Sequence, residues 1–377
     1  MRGVGLNPDG VPDMAERNEI KERNLLPPTV SRRTLFRGGL SSGAALAALA
    51  ALGGAKSALA AGSGGLPSHP EWKFVFVNHV TTNPFFVPTQ YGIADACSLL
   101  GCTSQWTGSQ TSVASEMVNA MNTAIAAKAD GIAVALVDLH AFNDPVKRAL
   151  QAGIPVFSYN ADAKDNGRLA YIGQDLYASG QALGRRIVDL VGEGKVVGFI
   201  ATPGQLNIQP RLDGAKDAIK ASGKNIVIEE VATGPTVNEE VSRVDAYYVG
   251  HKDIKGMFAV DAGSTMSVGK TMEKYGLHAN GIRAGGFDLL PGTLDAIADD
   301  HLDFTIDQQA YLQGFYTLME MAMFKFSGGL TGPSDINTGL KFVTKDSVEP
   351  YRTTKSRYEG NSSAEAVIPR SGPIGGA

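Results

Sequence analysis

The sequence contains few of the residues from which metal centres and covalent catalytic sites are built. It has two cysteines and six histidines among 377 residues, and the histidines are scattered without the short spacing of metal ligands. Beyond residue 60 there is no Gly-x-Ser-x-Gly motif, which marks the nucleophile of many hydrolases. We therefore expect no catalytic residues, no metal and no cofactor.

An excess of positive charge is also absent. The chain carries 34 Lys and Arg residues against 38 Asp and Glu residues, a formal net charge of −4. Because nucleic-acid binding depends on a basic patch, this balance disfavours nucleic acid as a partner. Long apolar runs are confined to residues 38–55, so we expect no membrane span in the rest of the chain.

The first 60 residues show the order of features that a twin-arginine (Tat) signal peptide has. Residues 31–36 contain the paired arginines, residues 38–55 are uncharged and rich in Ala, Leu and Gly, and residues 58–60 form a small-x-small cleavage site. Glycine and serine dilute the apolar stretch, which argues against a membrane-spanning helix. We predict a leader over 1–60, a linker over 61–71 and a periplasmic location.

The mature chain is long enough for two lobes. Removing the leader, which holds eight basic and five acidic residues, leaves 317 residues with 26 basic and 33 acidic side chains, a net charge of −7. This length exceeds the size at which a single hydrophobic core usually stops growing.

The two cysteines, Cys97 and Cys102, would enter an oxidising compartment after export, where disulfides persist. A bridge between them would close a short loop and add little stability. The sequence leaves open whether this bridge forms.

Strand-like and helix-like segments alternate along the mature chain. Strands are predicted at the apolar runs 131–136, 154–159, 195–201, 226–231, 256–260 and 282–287. Helices are predicted from apolar spacing at 115–128, 145–152, 179–191, 210–221 and 264–275. Strand–helix units of roughly 25–30 residues are typical of βαβ folds, so the predicted class is α/β with parallel sheets.

The motif Asn83-Pro84-Phe85-Phe86 lies one strand into this alternation. Asn is a preferred helix N-cap and proline is favoured at the first helical position, so we predict that a helix begins here. Ligands of open parallel sheets bind at the carboxyl ends of the strands. Aromatic rings beside an amide suit the C–H faces and hydroxyl edges of a sugar or polyol. The alternative is that both phenylalanines belong to the core.

Polar side chains also follow other strand-like runs. Asn160, Asp261, Asp288 and Gln308 stand at or just past the ends of such runs, and Arg211 opens a helix. Each can be explained locally, because Asp and Asn often end strands or cap helices. Their recurrence at one topological place instead predicts a cleft in which carboxylates, amides and a guanidinium bind hydroxyl groups.

Six motifs make the chain similar to a known family. They are Asn83-Pro84-Phe85-Phe86, Ala129-Asp130-Gly131-Ile132, Ala152-Gly153-Ile154-Pro155-Val156, Arg211-Leu212-Asp213-Gly214, Gly285-Gly286-Phe287-Asp288 and Thr305-Ile306-Asp307-Gln308. With these motifs, the region from about 72 to 350 resembles type I periplasmic binding proteins, the ribose-binding type that serves ABC importers. The resemblance implies two Rossmann-like lobes joined by a three-segment hinge, with a sugar held between the lobes.

The resemblance also implies ligand contacts. It assigns them to Asn83, Phe86, Arg211, Asp288 and Gln308, and it places Asp261 near a contact that is Asn or Asp in the family. Phe85, Asn160 and Trp106 complete the candidate ligand-binding set.

The predicted organisation divides the chain into discontinuous lobes. The N-terminal lobe comprises 72–176 with 310–334, and the C-terminal lobe comprises 177–309 with 335–351. The last segment, 352–377, is rich in Ser, Gly, Glu and Pro, and we predict a loose tail there.

Two positions qualify the likeness. Ribose binders carry Asp-Arg after the Ile-Pro-Val strand, whereas this chain has Asn160-Ala161, which argues against ribose itself. Trp106, at the end of the second strand, either lines the mouth of the cleft or packs under a loop.

The predicted function is therefore that of a monomeric periplasmic solute-binding protein. It captures a monosaccharide or polyol and delivers it to the permease subunits of an ABC importer. An autoinducer-2 receptor, or another small polar-signal receptor of the same fold, is one alternative. An exported sugar-modifying enzyme is another. A sugar-responsive repressor of the lac type would need a basic helix-turn-helix where the leader and linker stand.

Overall fold

The computed structural model describes residues 65–365, and the predicted Tat leader and its cleavage site lie outside the described residues. Twelve strands occur within these bounds. In chain order they are β1 (Lys73–Asn78), β2 (Thr103–Gly108), β3 (Gly131–Val134), β4 (Val156–Tyr159), β5 (Tyr171–Gly173), β6 (Gly194–Ile200), β7 (Ile226–Ala232), β8 (Gly256–Ala259), β9 (Arg283–Phe287), β10 (Phe304–Asp307), β11 (Ile336–Asn337) and β12 (Lys341–Val343).

Ten α-helices connect and cover the strands in the same part of the chain. They are α1 (Val87–Leu100), α2 (Ala114–Ala126), α3 (Asn143–Gln151), α4 (Leu176–Val191), α5 (Gln209–Ala221), α6 (Val237–Gly250), α7 (Ala262–Tyr275), α8 (Pro291–Ala298), α9 (Ala310–Phe326) and α10 (Glu349–Thr353).

The strands form two six-stranded sheets, each the centre of one lobe. The first has the order β11-β5-β4-β3-β1-β2 and is parallel throughout. The second has the order β12-β10-β9-β8-β6-β7, with β12 as an antiparallel edge strand. Helices cover the faces of parallel sheets, so central strands such as β3, β4 and β8 are buried at every residue. The predicted α/β class with two lobes is confirmed.

Local sequence explains where several helices begin and end. Asp175 caps α4 by accepting a hydrogen bond from Ala178 N, and Thr236 forms a capping box with Glu239 at the start of α6. Helix α1 ends at Gly101, which adopts the left-handed conformation that glycine tolerates best. Each predicted strand and helix overlaps an observed one, with small differences at the ends.

The chain passes between the two lobes three times, as the three-segment hinge requires. It crosses from β5 to α4, from β10 to α9, and from β11 to β12. Helix α9 returns to the first lobe and packs against α1. The strand Ile336–Asn337 pairs with β5 in the first sheet, so the third crossing lies past 337 and not at the predicted boundary after 334. The sequence does not predict this strand because a two-residue edge strand is too short to show an apolar pattern.

The described part of the predicted loose tail contacts both lobes. Arg352, at the end of α10, pairs with Asp295 of α8 in the second lobe (3.0 Å). Arg357 pairs with Asp95 of α1 in the first lobe (2.7 Å). We name residues 349–361 the strap. Tyr351 of the strap is also buried in the core of the second lobe, so ion pairs and one aromatic side chain attach a segment whose polar composition predicts a tail.

Two further features bear on the sequence expectations. No helix within 65–365 is long and apolar enough to cross a membrane. Cys97 and Cys102 are buried free thiols at the end of α1, within hydrogen-bonding reach of each other.

Candidate functional site

A cavity lies between the lobes, where the carboxyl ends of the strands in the two sheets meet. It has a volume of about 340 Å³ when its open mouth is included. The lining residues come from both lobes and from the hinge: His79, Val80, Asn83, Phe85, Phe86, Asn160, Asn207, Ile208, Arg211, Asp261, Ala262, Asp288 and Gln308. Eight of the nine predicted site residues are among them, and Trp106 is the exception.

The Asn-Pro-Phe-Phe motif begins a helix, as the sequence predicts. The Asn83 side chain accepts a hydrogen bond from Phe85 N (3.0 Å), and a 3-10 turn over Pro84–Phe86 leads directly into α1. Phe86 is 1% exposed and belongs to the core of the first lobe, whereas Phe85 is half-buried. Phe86 therefore serves the core and the cavity wall together, so the two sequence interpretations are not exclusive.

Trp106 lies behind the cavity wall and does not line it. Its ring centroid is 5.7 Å from that of Phe86, and its Nε1 donates to the backbone oxygen of Thr81 (3.1 Å). Of the two alternatives for this residue, packing under a loop describes the structure. Trp106 therefore packs against Phe86 without lining the cavity.

Arg211 is the only cation among the lining residues of this cavity. It lies in the first turn of α5, is 2% exposed, and donates to Val260 O (3.0 Å) and Gln174 Oε1 (3.3 Å). Its guanidinium stands 4.2 Å from the Phe287 ring. Burial lowers the pKa of Arg211, and Asp288 is the strongest influence opposing that shift. Its Nε atom is buried without a partner among the described residues, so one donor is free for a ligand.

A chain of amides connects the first lobe to Asp288. Gln308 Nε2 donates to Asp288 Oδ1 (2.6 Å), and Asn160 Nδ2 donates to the oxygens of Gln308 (3.5 Å) and Gln313 (3.2 Å). Gln313 Nε2 in turn donates to Gln308 Oε1 (3.0 Å). Since Gln308 stands at the second hinge crossing, this network links the lobes through the wall of the cavity.

Two of these residues have a strained backbone. Asn160 and Asp288 directly follow β4 and β9, with φ of 63° and 78°. This left-handed conformation is uncommon outside glycine, and Asn and Asp tolerate it best. Strain of this kind costs of order 1–3 kcal/mol and clusters at ligand sites.

Burial sets the protonation of Asp288. Burial raises the pKa of this carboxyl to about 7, although the Arg211 charge and the Gln308 hydrogen bond favour the ionised form. A ligand that donates hydroxyl hydrogen bonds to the carboxylate would favour the ionised form further.

Sequence reasoning missed His79 and Asn207, which meet across the cleft. Asn207 Nδ2 lies 3.2 Å from His79 Nε2, and burial lowers the pKa of His79 to about 3, so the ring is neutral. With Nε2 accepting from the amide, we assign the proton to Nδ1, which has no partner among the described residues. His79 follows β1 as Asp288 follows β9, so the strand-end pattern contained a signal for it. Asn207 lies in a loop and gave none.

The lining residues together offer donors and acceptors beside apolar rings. No group of three or more His, Cys, Asp or Glu side chains within 65–365 is placed to hold a metal ion. Amides, two carboxyls and a guanidinium around an aromatic wall can bind the hydroxyl edges and C–H faces of a small polyhydroxy compound. The fold and this cleft define a two-lobed solute-binding protein.

The chain belongs to the periplasmic binding protein domain family, which matches residues 74–326. It is 52% identical over 316 residues to the xylose/arabinose-binding protein XylF of Sulfolobus acidocaldarius, covering 80% of this chain and 78% of that protein. It is 25% identical over 230 residues to the ribose import binding protein RbsB of Escherichia coli, covering 60% of this chain and 75% of that protein.

The structural comparison also identifies a sugar-binding relative. An ABC transporter solute-binding protein from Burkholderia graminis, in complex with D-arabinose, superimposes with a TM-score of 0.70 at 26% identity, covering 75% of this chain and 99% of that one. The predicted family and fold are confirmed. These relatives bind sugars by their names or bound ligand, and this chain is a member of the same class of solute-binding proteins. The autoinducer-2 alternative finds no support among them.

Proposed function

We propose that this protein captures a pentose, such as xylose or arabinose, in the cleft between its lobes and delivers it to the permease of an ABC importer. The observation that carries the proposal is the set of unsatisfied polar groups around one cavity. Arg211 Nε, His79 Nδ1 and Asn207 Oδ1 are buried there without partners among the described residues. Leaving such groups unpaired is costly, and hydroxyl groups of a sugar would satisfy them.

Each lining group has a distinct part in recognition. Arg211 and His79 donate, Asp288 accepts, and Asn83 and Asn207 can do either. Phe85 and Phe86 supply the apolar wall against which C–H groups of a ring pack. Because polar groups from both lobes would bind one small molecule, the ligand would stabilise the closed arrangement by its greater affinity for that state.

The choice of pentose rests on similarity. The relative that is 52% identical is a xylose/arabinose-binding protein, and a solved relative that is 26% identical contains D-arabinose. The absence of the Asp-Arg pair at Asn160-Ala161 favours these pentoses over ribose.

Several parts of the proposal rest on sequence alone. Export by the Tat pathway follows from residues 31–60, and the periplasmic location follows from that export. A monomer is the simplest state for a receptor whose lobes must move against each other and then dock on a permease.

A thermal-shift screen followed by calorimetry tests the function. Ligands that bind the native state alone raise the midpoint, so D-xylose and one of the two arabinose enantiomers should raise Tm more than ribose, alditols or glucose. Calorimetry should then give a dissociation constant on the order of micromolar or below. A screen in which no sugar or polyol raises Tm would refute the proposal. Product analysis after incubation distinguishes the enzyme alternative, because a receptor returns the sugar unchanged.

A further inference from the structure

The second lobe contains a buried carboxyl group directly behind the cavity residue Asp261. Glu240 lies in the first turn of α6 and is 3% exposed. Its carboxyl lies against the backbone at the start of α7, where a Cβ on Gly263 would overlap Glu240 Oε2. Glu240 is therefore fixed between α6 and α7, within hydrogen-bonding reach of Asp261.

The hydrogen bonds around the pair show where the charge lies. Asp261 Oδ2 accepts from Ala201 N (2.9 Å) and Oδ1 accepts from Ser264 N (2.9 Å). Burial raises the pKa of Asp261, and these donors oppose that shift because they stabilise the ionised carboxylate. Glu240 Oε2, in contrast, is buried and accepts no hydrogen bond from a donor among the described residues. Two carboxyl groups this close hold one proton between them, and the geometry assigns it to Glu240.

We propose that neutral Glu240 is a positioning residue, which donates its proton to Asp261 and holds that carboxylate in the orientation that accepts a ligand hydroxyl. This inference rests on the proposed function, because Asp261 lines the proposed sugar cavity. The backbone donors of Ala201 and Ser264, the Ser264 hydroxyl and the Glu240 hydroxyl together fix the Asp261 carboxylate at the cavity wall, where a ligand hydroxyl would compete with the Ser264 hydroxyl for one oxygen. When Glu240 ionises, repulsion between two adjacent carboxylates displaces Asp261 or forces it to take up the proton.

The electrostatic surroundings support the assignment. Burial and then the charge of Asp261 raise the pKa of Glu240 to about 9, and exposed Glu239 on the same helix adds to this shift. Arg211 of α5 is another charged group near Asp261. The negative charge of Asp261 favours the charged form of Arg211 and raises its pKa. Burial raises the pKa of Asp288 to about 7, and this group acts in the opposite direction, since ligand binding would improve as Asp288 ionises.

The test uses Glu240→Gln, which keeps a donor toward Asp261 but has no proton to lose. Glu239→Gln is the matched control, because it makes the same change at the adjacent exposed position, removes only the smallest contribution to the Glu240 shift, and glutamine is tolerated in a capping box. The first measurement is Tm without sugar between pH 5 and 9.5. Glu240 has a raised pKa in the folded state, so its stabilising contribution is present below about 4.5 and is lost as pH rises through about 9. The difference in Tm between Glu240→Gln and wild type should therefore rise with pH.

The second measurement is the affinity for D-xylose, or for the arabinose enantiomer that gives the larger thermal shift, by calorimetry. Wild type and Glu239→Gln should lose about tenfold in affinity between pH 8 and 10, because one pH unit above the pKa leaves about a tenth of the protonated form. Glu240→Gln should lose less than twofold. Equal pH slopes of Tm in all three proteins, or equal affinity profiles, would overturn the proposal. If no sugar binds, the proposed function fails, while the Tm measurement still decides where the proton lies. If Glu240→Gln does not fold, a flat wild-type affinity profile from pH 8 to 10 overturns the proposal by itself.

Discussion

Replacing Asp288 with asparagine should weaken sugar binding without disturbing the fold. Asp288 is 4% exposed, lines the cavity, and accepts from Gln308 Nε2 at 2.6 Å. Its φ of 78° makes asparagine the suitable replacement, because alanine would add backbone strain while asparagine tolerates this conformation. Asparagine also keeps an oxygen for Gln308, so the change removes the charge and replaces the other acceptor oxygen with an NH2 donor.

The expected loss follows from the strength of hydrogen bonds to charged groups. These contribute about 1.5–3 kcal/mol each, and a loss of this size corresponds to a roughly 10- to 150-fold weaker dissociation constant. The pH dependence should change as well. Burial raises the pKa of Asp288 to about 7, and ligand hydroxyls prefer the ionised form, so wild-type affinity should rise with pH through 7. At pH 6, one unit below that pKa, it should be about tenfold below its plateau.

Calorimetry at pH 5.5, 6.5 and 8 with the sugar that gives the largest thermal shift measures both effects. Asp307→Asn is the matched control, because burial raises the pKa of Asp307 to about 6 but its side chain accepts from Gln309 and does not line this cavity. The Asp288→Asn profile should be flat over this range. Unchanged affinity in Asp288→Asn, or the same pH slope as wild type, would remove Asp288 from the binding site.

Three other perturbations separate structural from ligand-binding roles. Phe86→Ala should lower Tm strongly, since truncating a buried Phe costs about 3–5 kcal/mol. Phe85→Ala should instead weaken sugar binding with little change in Tm. Equal losses of Tm in the two variants would contradict this division. The ring protons of His79 should show no titration by NMR between pH 5 and 8, because burial lowers its pKa to about 3, and a midpoint near 6 would contradict its burial. Arg357→Ala removes the ion pair to Asp95, so amide hydrogen exchange should accelerate in the strap and stay unchanged in β8; unchanged exchange in the strap would mean that this ion pair does not hold it.

The sequence predicts most of the cavity because the fold imposes a simple rule. In a parallel α/β sheet, the residues that follow the strands lie at the same edge. Asn160, Asp261 and Asp288 could therefore be assigned to one cleft from the sequence alone. The N-cap preference of asparagine and the N1 preference of proline likewise located the start of the 3-10 turn at Asn83. These are local signals, and they survive folding because each depends on a few neighbouring residues.

The tertiary structure alone decided which polar groups meet. Glu239 and Glu240 are adjacent glutamates in the first turn of α6, and packing against α7 places only Glu240 behind Asp261. The same holds for Asn207 opposite His79, for Trp106 behind Phe86, and for the strap across the two lobes. These contacts join residues far apart in the chain. Their burial, and with it the protonation of Asp288 and Glu240, depends on how the two sheets and their helices enclose them.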